Sequence, residues 1–452
     1  MTQQPRKTLA IIGAGPVGLA AAAHALERNI EPMVLERGPS VGHAVRQWGH
    51  VRMFSPWEYN IDAAAGRLLA ASGWNSPDPA RYPTGAELLE QYLEPLGSRT
   101  ALRTRIHADA RVTAISRHGI DKLKDAGRAQ APFVIQYRNG AGAKTLRADA
   151  VIDASGAWFA PNPAGANGLP AAGEEELSGR IVYGMPDIRG RDRARYAGKI
   201  VGVLGAGHSA VGNLIDLARL RDQVPETQPI WLLRGDKPEK AFGGGVNDKL
   251  AARGELGALF AGYVKAGSID VQSGFRVTHI TPQGDRLRVG AGGACCGRQV
   301  LLDELIVAAG FRPHVSMLRE LRIALDPAVE APPALAPLID PNVHSCGTVR
   351  PHGARELAHP EPGFYIAGMK SYGRAPTFLM RTGYEQVRSI LADIDGDRAA
   401  AEHVELVLPE TGVCSLSPGG EGCETPAKSD ANACCAADLA AKQQGASGCG
   451  CA

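Results

Sequence analysis

No cysteine precedes Cys295 in this 452-residue chain, so no pair of neighbouring thiols can be built from any segment upstream of that position. Charge of one sign is also missing. Lysine and arginine nearly cancel aspartate and glutamate, leaving a formal net charge of +2, with no electrostatic case for nucleic acid or an anionic membrane as partner. No stretch approaches the ~20 uninterrupted apolar residues a membrane span needs. The first residues (MTQQPRKTLAIIGAG) run straight into a strand pattern with no signal-peptide apolar region, which predicts a cytoplasmic location.

Hydrophobic residues at 44% and charged residues at 21% are ordinary for a globular protein. The length exceeds what one core usually serves, which predicts two or three domains. The cysteines speak through their placement. Cys295 and Cys296 are adjacent, Cys346 stands alone, and Cys414, Cys423, Cys434, Cys435, Cys449 and Cys451 crowd the C-terminal end. In a reducing compartment this points to metal, metalloid or redox chemistry rather than structural disulfides.

Residues 8–12 (TLAII) form an apolar run, followed by GAGPVG, an alanine-rich helical stretch, and a second apolar run, Pro32–Leu35, ending in Glu36. The pattern returns with Lys199–Leu204, GAGHSA, an apolar-periodic stretch to Arg219, and a strand at Pro229–Leu233. Two such strand–turn–helix–strand openings predict two doubly wound domains. Between them, Arg111–Ile115 and Phe133–Tyr137, with the turn-like Asn139-Gly140, read as strands of a small sheet. The Pro-rich residues 327–341 read as a return towards the first domain, and residues 409–452, rich in Gly, Ala, Ser and Cys, as a flexible tail that a bound ion would order.

Each glycine of the first turn has a task. Gly13 permits the tight turn, Gly15 lets backbone approach a pyrophosphate, and Gly18 allows close packing of helix on strand. The helix N-terminus then offers free N–H groups to the phosphates. Glu36, 23 residues beyond Gly13, is placed to accept hydrogen bonds from ribose hydroxyls. In the second turn, Gly205, Gly207, His208 and Ser209 precede Ala210, which stands where a third glycine would. The strand after it ends at Arg234 with Lys237 nearby. A guanidinium there pairs with a ribose 2′-phosphate, which favours NADPH over NADH.

Two dinucleotide sites, the second nested in the first, resemble the two-dinucleotide-binding-domain flavoproteins. Val151–Gly156 (VIDASG) and Leu305–Gly310 (LIVAAG) look like the strand ends that return the chain between domains. Phe364–Gly368 (FYIAG) resembles the last FAD-contacting strand, although Met369 stands where that family has an aspartate for the ribitol chain. The resemblance implies an α/β fold of two Rossmann-like domains, with residues 183–328 as an NADPH-binding domain inserted into an FAD-binding domain of residues 1–182 and 329–408, followed by the Cys-rich tail. It places Gly13, Gly15, Gly18, Glu36, Arg37, Trp48, Val112, Ala154, Ser155, Gly156, Gly368 and Thr377 among the FAD contacts.

Within that superfamily, a disulfide reductase holds a cysteine pair against the flavin, and residues 38–60, where one such pair would fall, contain none. Gly38–Trp48 and the Tyr82-Pro83-Thr84-Gly85 step instead resemble flavin-containing monooxygenases. Their fingerprint ahead of the second turn is altered: Tyr183–Ile188 (YGMPDI) lacks the histidine. In such enzymes NADPH reduces FAD, O₂ adds to give a C4a-hydroperoxide, and a soft nucleophile attacks it. Arg46, Trp48, His50 and Arg52 lie in the stretch expected near the flavin, although Trp48 and Trp57 read equally well as core and His50 as a surface histidine.

Thiolates of the tail suit soft ions, and its CC and CxC spacings differ from a zinc knuckle's. Such thiols gather around trivalent arsenic or antimony, whose lone pair is oxidisable. The chain is similar to the flavin monooxygenases of bacterial arsenic-resistance operons, which implies a trivalent arsenical or antimonite as small-molecule substrate with O₂ as co-substrate. Two alternatives stay open: a disulfide or metal reductase using the tail thiols, and a metalloid-binding flavoprotein without enzymatic activity.

Overall fold

The computed structural model describes residues 6–243, 251–292, 297–343, 349–376 and 378–406. Every cysteine lies outside the described residues, as does Thr377. Strand β1 (Thr8–Ile12) is buried along almost its whole length, as an apolar run covered on both faces should be. It pairs in parallel with β2 (Glu31–Leu35), which continues to the short β3 (Ile106–His107). An antiparallel sheet of β4 (Arg111–Arg117), β5 (Phe133–Asn139) and β6 (Gly142–Ala148) follows, turning tightly where Asn139 pairs with Gly142. Then β7 (Ala150–Asp153) returns to lie beside β1.

The chain next builds a second parallel sheet from β8 (Ile181–Tyr183), β9 (Ile200–Leu204), β10 (Gln228–Leu232) and β11 (Asp270–Gln272). An antiparallel sheet of β12 (Val277–Gln283), β13 (Arg286–Ala291) and β14 (Arg298–Leu302) precedes β15 (Glu304–Val307), which inserts between β8 and β9. Finally β16 (Phe364–Ile366) closes the first sheet in the order β16-β7-β1-β2-β3. The second sheet is therefore nested within the sequence of the first.

The chain crosses into the second sheet at β8 and is back against the first before Met317. β8 hydrogen-bonds to β15, so the chain has entered the second sheet before residue 183. Met317, Leu318 and Leu321 already pack with Ile12, Leu35 and Phe364, so it has returned well before residue 329.

Helix Pro16–Glu27 is mostly buried because Ala20, Ala21, Ala22 and Ala25 let it lie close between β1 and helix Met380–Asp395. One ionic knot ties the β4–β6 sheet to the first sheet. Glu361, just ahead of β16, accepts from Arg117 Nε at 2.8 Å, from Arg128 Nη2 at 2.6 Å and from the Arg322 amide at 3.0 Å. None of the three charged side chains has appreciable exposure.

Candidate dinucleotide sites

At the first turn Gly13 has φ +100°, and a Cβ on it would come within 2.8 Å of the Ala154 carbonyl oxygen. A Cβ on Gly18 would lie 2.0 Å from the Gly13 carbonyl oxygen. Gly15 differs: a Cβ there would meet nothing within 4 Å. Gly15 caps helix Pro16–Glu27, whose first-turn amides have no acceptor within the helix, and Pro16 at its start has no N–H to satisfy. An open cradle over free amides suits a pyrophosphate.

Glu36, one residue past β2, is buried, and its two carboxylate oxygens accept from the Ala14 and Gly38 amides, each at 2.8 Å. It thus braces the turn itself, with one lone pair per oxygen left for ribose hydroxyls. Arg37 beside it lies 4.0 Å above the Phe159 ring, which His43 stacks on from 5.7 Å. Burial and the charge of Arg111 pull the Arg37 guanidinium below its usual range, against the pull of Glu36. Val112, on β4, is half-buried against the Ile12–Leu35 cluster.

The far wall of this site holds a pair that motif reading missed. Asp153 accepts from the Ser155 hydroxyl at 2.6 Å and the Ser155 amide at 3.1 Å. Its other oxygen accepts from Lys370 Nζ at 2.6 Å, and Lys370 also reaches Ser155 Oγ at 3.1 Å. Lys370 follows Met369, where the resemblance expects an aspartate; only its neighbour's departure from pattern marked the place. Gly368, at φ +72°, sits against the Val17 side chain and donates its amide to Gln386 Oε1 at 2.8 Å.

The second turn repeats the first. Gly205 has φ +137°, with a virtual Cβ 2.3 Å from the Ala308 carbonyl oxygen, while Gly207 is open. Ala210 fits at the third position, its methyl 3.4 Å from that virtual Cβ. Trp231 on β10 donates to the Gly205 carbonyl at 2.7 Å and fixes the turn. His208 and the half-buried Ser209 open helix His208–Arg221. Arg234 is exposed beyond the end of β10, and its guanidinium donates to the Ala166 carbonyl at 3.4 Å.

Arg46, Trp48, His50 and Arg52 are held by different partners. Arg46 pairs with Glu94, and Arg52 donates to the Tyr82 carbonyl at 2.9 Å. The Trp48 ring lies against Gly85, at the helix start that Thr84 and Glu87 cap reciprocally. His50 lies within electrostatic reach of Asp216 on helix His208–Arg221; burial raises that carboxyl, opposed by Arg189, Arg219 and His50. Trp57 is fully buried, its indole N–H without a hydrogen-bond partner among the described residues. The units also meet where Phe54 lies 5.1 Å from the His208 ring, and where Trp158 donates to Gln47 Oε1 at 2.8 Å while packing on Phe311.

Residues 10–335 match the family profile described as pyridine nucleotide-disulphide oxidoreductase. The chain belongs to that family. It is an oxidoreductase, and a flavin-dependent one, with two parallel sheets of Rossmann type. No curated protein matches the sequence. Among solved structures, the bacillithiol disulfide reductase Bdr (YpdA) from Bacillus cereus aligns with TM-score 0.64 at 19% identity, covering 87% of this chain and 99% of that one. The cadaverine monooxygenase DfoA from Erwinia amylovora, bound to FAD, aligns with TM-score 0.60 at 14% identity over 92% and 100%. The ornithine N-hydroxylase KtzI of Kutzneria sp. 744, with reduced FAD, NADP⁺ and L-ornithine, gives 0.55 at 17% over 87% and 100%. At these identities the likeness is one of fold, and that fold carries both disulfide reduction and N-hydroxylation.

Proposed function

We propose that the chain is an NADPH- and FAD-dependent monooxygenase acting on a soft nucleophile, with trivalent arsenicals or antimonite as the substrate class. One observation carries the choice of oxygen chemistry. The stretch that follows Glu36, from Gly38 through Asn60, supplies tryptophan, histidine and arginine but no thiol. FAD at the first turn supplies hydride acceptance and oxygen activation when bound. The chain's own residues do the rest. The amides behind Gly15 face the pyrophosphate, Glu36 orients the ribose, and Trp48 and Trp57 keep water out of the interior beside it. NADPH belongs at the second turn, with Arg234 on its 2′-phosphate.

The metalloid assignment rests on the tail cysteines, Cys414 to Cys451, which lie outside the described residues. Their CC and CxC spacings suit a thiophilic ion that prefers three sulfurs. Family membership removes the non-enzymatic alternative. The reductase reading is favoured by the family's name and by the bacillithiol disulfide reductase fold match.

Oxygen separates the two readings. Arsenite, methylarsenite or antimonite is expected to accelerate NADPH oxidation and O₂ uptake together, and to do nothing anaerobically. Unchanged rates with every metalloid would remove the substrate assignment. Turnover without oxygen, abolished by deleting residues 414–452, would establish the reductase instead.

A second measurement addresses Arg234. Arg234→Ala is expected to lower kcat/KM for NADPH by roughly ten- to a hundredfold, since a hydrogen bond to a charged group is worth about 1.5–3 kcal/mol. The NADH value should stay unchanged. Equal losses with both cofactors would show that Arg234 does not read the phosphate.

A further inference from the structure

We infer that Lys370 is a positioning residue for the dinucleotide of the first turn, its ammonium cancelling the Asp153 charge so that this carboxylate orders Ser155 without repelling the pyrophosphate. The inference rests on the reading that FAD occupies that turn. Asp153 is the last residue of β7, paired in register with Ile12 on one side and Ile366 on the other. That register sets it beside the residue preceding Gly13, at the C-terminal edge where dinucleotides bind in open parallel sheets. Its carboxylate holds the Ser155 amide and hydroxyl, and the Ala154–Ser155 backbone is the wall that Gly13 clears, with 2.8 and 3.0 Å to a virtual Cβ.

A lone carboxylate at this spot would oppose a ligand carrying two negative charges, through a medium that screens poorly. Lys370 is the cation within ion-pair distance of Asp153 among the described residues, at 2.6 Å, with both side chains essentially without exposure. It arrives there because β16 ends at Ile366 and the tight segment Gly368–Tyr372 turns it inward. Gly368 in turn abuts Val17, so the loop that carries Lys370 also touches the first turn of the phosphate-facing helix.

A pair with only a packing role and a pair that balances charge beneath the cofactor respond differently to single substitutions. The test uses the full-length flavoprotein and reads FAD release after dilution, from the recovery of flavin fluorescence, with thermal midpoints in parallel. Lys370→Met is expected to release FAD at least about tenfold faster, because Asp153 is left uncompensated. Asp153→Asn should release it at the parent rate or more slowly, despite a lowered midpoint. The double variant should return to within about threefold of the parent rate. Equal acceleration in both single variants, or parent-like release from Lys370→Met, would overturn the inference. Should Lys370→Met fail to fold, Asp153→Asn is compared with the double variant: slower release from Asp153→Asn supports the charge role, and equal release overturns it. A parent protein that carries no FAD would refute the site reading instead, which is a separate result.

Discussion

Gly15→Ala is expected to fold as the parent does yet lose FAD, whereas Gly18→Ala should lose both fold stability and FAD. The two residues share one motif, and their surroundings separate the outcomes. A methyl on Gly15 meets nothing within 4 Å of the protein, so the folded chain accepts it without strain. It would occupy the space over the helix amides that the pyrophosphate needs, and losing that close approach should weaken FAD binding by tenfold or more, about 1.4 kcal/mol at least. A methyl on Gly18 would lie 2.0 Å from the Gly13 carbonyl oxygen. That oxygen cannot retreat easily, because Gly13 is fixed by its own positive φ and by the hydrogen bond its N–H donates to the Leu35 carbonyl at 2.8 Å. Forcing helix from strand costs roughly 1–3 kcal/mol or more. Flavin-to-protein absorbance ratios and thermal unfolding of the purified variants measure both effects. Stoichiometric flavin in Gly15→Ala would show that the cofactor's phosphates lie elsewhere.

The second large effect is on stability. Glu361→Gln is expected to destabilise the protein by about 3–5 kcal/mol, the usual consequence of removing one member of a buried ionic cluster. Two arginines, Arg117 and Arg128, would be left buried around a neutral amide, and the link between the β4–β6 sheet and β16 would loosen. The pH dependence has a definite sign. Burial alone would raise the Glu361 carboxyl, but hydrogen bonds from Arg128, the Arg322 amide and Arg117 outweigh it and hold it below the ordinary 4.5. A depressed carboxyl contributes stability that is complete above the unfolded value and disappears as pH falls through the folded one. Thermal midpoints of the parent should therefore drop below about pH 4.5, and Glu361→Gln should show less of that acid loss. Parallel pH profiles for the two proteins would show that Glu361 is not charged in the fold.

Much of the site was legible because it rests on short-range chemistry. The turns at Gly13 and Gly205 demand positive φ, and each demands it locally, so glycine spacing next to an apolar run was enough to find them. Arg46, Trp48, His50 and Arg52 are different. The sequence places them in a stretch expected near the flavin but says nothing of their partners: Arg46 pairs with Glu94, Arg52 donates to the Tyr82 carbonyl, and His50 lies within electrostatic reach of Asp216. A side chain's direction depends on partners tens of residues away, which no local pattern records.

The sequence by itself determined that there are two dinucleotide turns, that one lies nested in the other's sheet, and that residues 38–60 contain no cysteine. Each of these follows from residue types at fixed spacing along the backbone. Only the tertiary structure decided where the chain crosses between sheets, that Glu36 braces its own turn, and that Lys370 meets Asp153 across 217 residues of sequence. That meeting needs β7 and β16 to be neighbours in a sheet closed by its last strand. Strand order is a property of the whole fold, because it is set by which apolar faces bury one another and not by any segment alone.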